Sequence, residues 1–192
     1  MNRNIRLIIL VGILITISTT TGTASELIIN GGFETGDTTG WSLVGPVFDG
    51  SVTTVHHTGT YSLSMGGMDY INQTFSPAVS TSGNLTFWGK ASDTFTGPAY
   101  ATVTYSDATT SELMWGGGMI STTWTQFTVP VDNTKLVSKV LFNTGETIPL
   151  YLDDVSLSGV AAENDIPEFP TMAIPVISII GLMFLFQRRI GK

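Results

Sequence analysis

The sequence predicts an all-β protein, an antiparallel β-sandwich lying between two apolar terminal segments. From Trp41 to Leu157 short apolar or alternating stretches are separated by clusters of Gly, Pro, Ser, Thr, Asn and Asp, and alternation with a period of two marks half-buried strands. No amphipathic stretch of helical length interrupts that span. The polar faces of the strands are rich in Thr, which suits sheets that bury one face and show the other to water. No internal repeat of fixed period is present.

The N-terminal element is a basic start, Met1 to Arg6, followed by an apolar run of eleven residues from Leu7 to Ile17 and a small-residue exit ending in Thr23-Ala24-Ser25. This is the pattern of a secretory signal, residues 1–25; the run is short for a membrane span of about 20 residues. Predicted strands then follow at 27–30, 41–48, 51–56, 61–65, 69–75, 84–91, 99–106, 111–115, 124–130, 136–143 and 150–157. The spacing fits one domain over 26–158, a size that supports its own core.

Charge narrows the function classes. The whole chain carries −7, but Glu26 to Asp165 holds 14 acidic residues against Lys90, Lys135 and Lys139, a net of −11. That sign excludes nucleic acid as a natural partner and suits an exported protein that binds cations. There is no cysteine and so no disulfide framework.

In Leu27-Ile28-Ile29-Asn30-Gly31-Gly32-Phe33-Glu34, a short apolar run enters a glycine pair and an acidic residue. Such a turn can offer carbonyl oxygens, here from Asn30 to Gly32, beside the Glu34 carboxylate as a cradle for a hard cation. Far downstream, alternation in Leu150 to Leu157 places Tyr151, Asp153, Val155 and Leu157 on one face. An aspartate on an apolar face needs a partner. If the terminal strands pair, Glu34 and Asp153 share one calcium ion. The stretches NGGFETGDTTGW, HHTGTYSL and YLDDVSL resemble, in order and spacing, the galactose-binding-like jelly rolls, among them the non-catalytic carbohydrate-binding modules. That resemblance spans about residues 27 to 157 and implies a fold more firmly than a ligand.

For a ligand, the informative strand is Asn84 to Ala91: Leu85, Phe87, Gly89 and Ala91 form its apolar face, leaving Trp88 and Lys90 among polar company. Trp88 is a candidate sugar platform, with Tyr100 outward on the next strand as its partner, because aromatic rings stack on the apolar face of a pyranose. The alternative is that a loop or the second sheet covers both rings. Trp115, at a strand end beside Gly116-Gly117-Gly118, is a further candidate. Trp41 and Tyr61 read as packing residues, and Trp124 as a rim residue. His56 and His57, the two histidines, point to opposite faces of any strand and cannot serve one catalytic site. No catalytic signature occurs, and Glu34 and Asp153 read better as cation ligands than as a glycosidase pair. Asn72 and Asn84 lie in glycosylation sequons, and a glycan on Asn84 would crowd Trp88.

Residues 159–166 form a polar linker, and residues 167–192 a different unit. Pro167-Glu168-Phe169 precedes an apolar stretch from Phe169 to Phe186, and Arg188-Arg189 follows it. Eighteen residues at about 1.5 Å each just span a thin hydrocarbon core, and the cations would stay cytoplasmic. The motif, helix and arginine pair resemble the PEF-CTERM sorting signal of archaeal surface proteins. That resemblance implies an archaeosortase-type processing enzyme as partner, removal of the helix near Pro167-Glu168-Phe169 and a lipid anchor; the alternative is an ordinary retained helix. The expected protein is thus a non-enzymatic, surface-anchored module that binds carbohydrate or envelope glycan. The other open reading is a structural or adhesive envelope protein.

Overall fold

The computed structural model describes residues 24–44, 51–67, 69–145 and 147–160. The expected signal segment, transmembrane helix and sorting motif lie outside the described residues. The described chain is all strand and turn: β1 (Ser25–Glu26), β2 (Ser42–Val44), β3 (Ser51–Thr53), β4 (Ser62–Met65), β5 (Tyr70–Thr81), β6 (Leu85–Ala91), β7 (Ala99–Tyr105), β8 (Thr110–Met114), β9 (Thr125–Val129), β10 (Leu136–Thr144), β11 (Leu150–Ser156) and β12 (Ser158–Val160). They form two antiparallel sheets. A seven-stranded sheet runs β1-β12-β5-β10-β7-β8, with β2 also on β5, and a five-stranded sheet runs β3-β4-β11-β6-β9.

Alternation produces the sandwich directly. β6 and β7 each bury every second residue, Leu85, Phe87, Gly89 and Ala91 on one and Ala99, Ala101, Val103 and Tyr105 on the other. Those inward rows meet around an aromatic cluster in which Phe87 lies 5.2 Å from Trp115, 5.3 Å from Phe127 and 4.9 Å from Phe142, centroid to centroid. Phe33 and Trp41, stacked at 5.8 Å, close one end against Phe142. Trp41 packs as expected.

The two ends of the domain are stapled together. β1 pairs with β12, and the Leu27 amide donates to the Leu157 carbonyl at 2.9 Å. The Glu26 carboxylate accepts from the Leu157 amide, the Ile28 amide and the Ser156 hydroxyl. Residues 27–30, expected as a strand, are not one. The buried Gln73 side chain on β5 takes both backbone groups of Ile29, accepting from its amide and donating to its carbonyl at 2.9 Å each. One side-chain amide replaces a ladder, and the chain turns at Asn30 instead.

Further boundaries move: the strand expected at 51–56 ends at Thr53. Ser158 to Val160 is strand β12, paired with β1 and β5, so the first residues of the expected linker, Gly159 and Val160, belong to the sheet. β5 runs on to Thr81 because its far half finds β10 and β12 as neighbours. β11 also departs from plain alternation: Asp153 pairs with Trp88 but Ser156 with Thr86, so three steps on β11 match two on β6. The extra residue is accommodated where Asp154 adopts a left-handed conformation, φ 47°. Tyr151 and Asp153 therefore stay on the outer face while Val155 and Leu157 enter the core, and the single face expected for all four does not exist.

Candidate functional site

The outer face of the five-stranded sheet carries an aromatic group assembled from three separate stretches. Trp88 projects outward from β6, between the inward-facing Phe87 and Gly89. The His57 ring lies flat on its indole, centroids 3.8 Å apart and planes 15° apart. Trp124, just before β9, stands edge-on to His57 at 5.8 Å. One outward step along β6 lies Lys90, opposite Tyr151 on β11, its ammonium 5.6 Å from the Tyr151 ring and 5.8 Å from the Trp124 ring. These side chains are all partly exposed. Together they offer rings and polar atoms on one shallow surface, the combination that binds a sugar ring by stacking and its hydroxyls by hydrogen bonds.

His57 is held in place by the bulge in β11. Its Nδ1 lies 2.7 Å from Asp154 Oδ2, and the Thr58 hydroxyl donates to Asp154 Oδ1 at 2.6 Å. The buried Asp153 carboxylate accepts from the His57 and Thr58 amides through Oδ2 and from the Asp154 amide through Oδ1. Burial pushes the Asp153 carboxyl above its ordinary range, and the neighbouring Asp154 charge adds to the rise, while the three amide donors work against it. Glu34, at the surface, accepts from the Tyr61 amide and, through both oxygens, from the Thr60 amide; those donors hold it below its ordinary range. The loop that stacks on Trp88 is thus bound at both ends by carboxylates of the terminal segments.

Of those carboxylates, Glu34 and Asp153 are the expected calcium ligands, and the chemistry of the set bears on the ion. A Cβ placed on Gly32 would lie 3.6 Å from the Glu34 side chain, 3.7 Å from Asp154 Oδ1 and 3.8 Å from Asp153 Oδ1. Three acidic groups therefore surround one bare glycine, and they are hard oxygen donors of the kind calcium takes. Glu34 Oε2 and Asp153 Oδ1 each accept one amide, which leaves a lone pair on each. Among the described residues, however, no three His, Cys, Asp or Glu side chains converge as a ready-made metal site. The Asn30 carbonyl, an expected ligand, instead accepts from Trp41 Nε1 and the Phe33 amide, and the Gly31 carbonyl accepts from the Val155 amide. The Asn30 side chain pins its own turn, donating to Thr35 Oγ1 and to the Asp37 and Thr39 carbonyls.

The structure separates the other expected ligand residues. Trp88 and Lys90 share the outer face of the five-stranded sheet, but Tyr100 is on β7, facing outward from the seven-stranded sheet on the opposite side of the molecule. There it belongs to a register row Val44, Tyr70, Asn143, Tyr100, Met114 running across five strands. Trp115 is no surface residue: it is fully buried against Phe87, Phe127 and Phe142, because the Trp115 amide donates to the Ala99 carbonyl and turns the ring inward after β8. Tyr61, expected in the core, is only half-buried beside the Gly36 turn. His57, Tyr151 and Trp124 join Trp88 although sequence reasoning named none of them as partners. Tyr151 was legible, since it alternates with Leu150 and Leu152; His57 was not, since a loop places it.

Residues 166–190 match the PEF-CTERM archaeal protein sorting domain. No curated protein matches the chain by sequence. The described domain is similar to a family 61 carbohydrate-binding module solved with β-1,4-galactotriose, at 16% identity and TM-score 0.53, covering 69% of this chain and 97% of that one. It is similar to the family 22 xylan-binding domain of Paenibacillus barcinonensis Xyn10C, at 16% identity and TM-score 0.53, covering 76% and 100%. It is also similar to the K3 adhesin domain of Lys-gingipain from Porphyromonas gingivalis, at 21% identity and TM-score 0.50, covering 71% and 99%. The chain is thus an exported protein held at the cell surface from its C-terminal end by a PEF-CTERM sorting signal, and its β-sandwich has the fold of the carbohydrate-binding modules.

Proposed function

We propose that the protein is a non-catalytic glycan-binding module of the cell surface, with its site on the outer face of the five-stranded sheet. The observation that carries this reading is the stacked Trp88–His57 pair beside Trp124 and Tyr151. His57 supports one face of the indole, and a sugar ring lies against the other. Binding is tested with the full chain in detergent on a glycan array. Trp88→Ala is expected to lower affinity for the bound glycan by roughly tenfold or more, as for a central aromatic anchor, with the melting temperature nearly unchanged. Tyr100→Ala, on the far sheet, is expected to leave affinity unaltered. Loss of folding in Trp88→Ala would make that residue part of the core instead.

Glu34, Asp153 and the Gly32 turn would hold a structural calcium ion, which supplies a positive charge where three carboxylates crowd together. An ion bound only by the folded state adds about 2.7 kcal/mol when present at a hundred times its dissociation constant. A strong chelator is therefore expected to lower the melting temperature of the wild type and to leave Asp153→Ala unmoved; no change in either protein would remove calcium from the account.

At the C-terminal end, an archaeosortase-type enzyme would cut near Pro167-Glu168-Phe169 and leave the domain on a lipid. A second reading, an adhesive envelope protein, is favoured by one observation: Val44, Tyr70 and Met114 are exposed large apolar side chains in the row that includes Tyr100. Under that reading the seven-stranded sheet meets another protein.

A further inference from the structure

Lys90 is out of keeping with its surroundings. The domain is strongly acidic, with three lysines between Glu26 and Asp165. Lys135 is committed, 2.8 Å from Asp107 and donating to Thr109 at 2.7 Å. Lys90, with fourteen acidic residues in the same segment, makes no hydrogen bond or ion pair among the described residues. It sits on the face that carries Trp88, His57, Trp124 and Tyr151, its ammonium suspended between Trp124 and Tyr151 at 5.8 and 5.6 Å. Those distances are near the outer limit of cation–π attraction, about 6 Å. The rings position the ammonium and leave its three donors open.

The acidic groups beside His57 are already engaged. Asp154 is occupied by His57 and Thr58, and Asp153 lies buried beneath the His57–Thr58 loop with three amide donors. Both lie at the bulged end of β11, whereas Lys90 is one outward step further along, opposite Tyr151. The surface thus reads, from one end to the other, as capped carboxylates, stacked rings and an unpaired cation. A neutral sugar needs no such charge, and a cationic one would be repelled by it.

We infer that the glycan this face selects is anionic, carrying a carboxylate or sulfate that Lys90 binds while the adjoining sugar ring stacks on Trp88. The inference rests on the glycan-binding reading above and specifies its substrate class. Trp88 supplies affinity for the ring, and Lys90 supplies the preference for charge, since a charge-assisted hydrogen bond is the stronger kind.

The test uses the full chain in detergent, at about 0.15 M salt so that a Debye length of about 8 Å screens the domain's net charge. It is titrated with matched pairs: uronate-bearing polysaccharides and their carboxyl-reduced forms, and sulfated polysaccharides and their desulfated forms. The charged member of a pair is expected to bind roughly tenfold more tightly. Lys90→Met should abolish that ratio, whatever it does to the affinity for the neutral member, and Lys90→Arg should restore it. The pair that shows the preference identifies the anion as carboxylate or sulfate. Equal binding within every pair, or a ratio that survives Lys90→Met, overturns the anionic assignment and leaves glycan binding standing. Failure to bind any member overturns both.

Discussion

Trp115→Ala is expected to lower the melting temperature by about 10 °C or more, the largest effect of any single truncation in this domain. The side chain is fully buried, with its ring edge-on to Phe87 at 5.2 Å, Phe127 at 5.8 Å and Phe142 at 6.5 Å. Removing a buried tryptophan costs about 3–5 kcal/mol through lost transfer energy and the cavity left behind, and each kcal/mol is worth about 2–8 °C in a domain of this size range. The surrounding strands are built to admit the ring. A Cβ on Gly89 would come within 2.6 Å of it, so only glycine leaves the space. The ring also carries a cost of its own, because Nε1 has no hydrogen-bond partner among the described residues. An unsatisfied buried donor costs about 1–3 kcal/mol. Trp115→Phe, which removes that donor and keeps most of the aromatic contact, is therefore expected to cost far less than the alanine variant. Calorimetry on the two variants checks this. Equal losses, or a stable Trp115→Ala that no longer binds glycan, would return Trp115 to the surface.

Gly31→Ala is expected to destabilise the fold by about 3 kcal/mol, the upper end of the range for overpacking, or to prevent folding. A Cβ there would sit 2.0 Å from the Val155 carbonyl oxygen and 3.0 Å from its carbon, and both belong to backbone that cannot swing aside. Relief requires the Asn30–Phe33 turn to leave β11, which breaks the 3.0 Å bond from the Val155 amide to the Gly31 carbonyl. It also displaces Glu34 and the loop that presents His57. The comparison is Gly83→Ala, where a Cβ meets nothing within 4 Å. There the change acts on the unfolded chain alone and is expected to be neutral or to stabilise by up to about 1 kcal/mol. Urea unfolding of both variants decides it. Similar midpoints would mean that the terminal turn does not pack against β11 in solution.

The elements that alternation alone governs were legible from the residues. β6, β7, β9, β10 and most of β11 fall within a residue or two of where period-two patterning puts them, because their burial is decided strand by strand. The apolar face of β6, down to Gly89 as an inward position, was readable for the same reason. What failed did so where a distant group supplied the missing partner. Residues 27–30 look like a strand, yet Gln73, more than forty positions away, satisfies the Ile29 backbone and allows a turn. Gly159 and Val160 look like linker, yet β1 and β5 pair with them.

The sequence by itself determined the charge, the C-terminal sorting motif and the division of each strand into an inner and an outer face, since these depend on composition and on the pleat of a single segment. Only the tertiary structure decided which outer faces coincide. Trp88 and Tyr100 have the same pattern on successive strands, but β6 and β7 enter different sheets, so their rings face opposite sides of the molecule. His57 reaches Trp88 from a loop with no periodicity to read, held there by Asp153 and Asp154 across a bulge that one extra residue creates. Alternation says which way a side chain points from its own strand; strand order, set by long-range pairing and packing of the whole chain, says what it points toward.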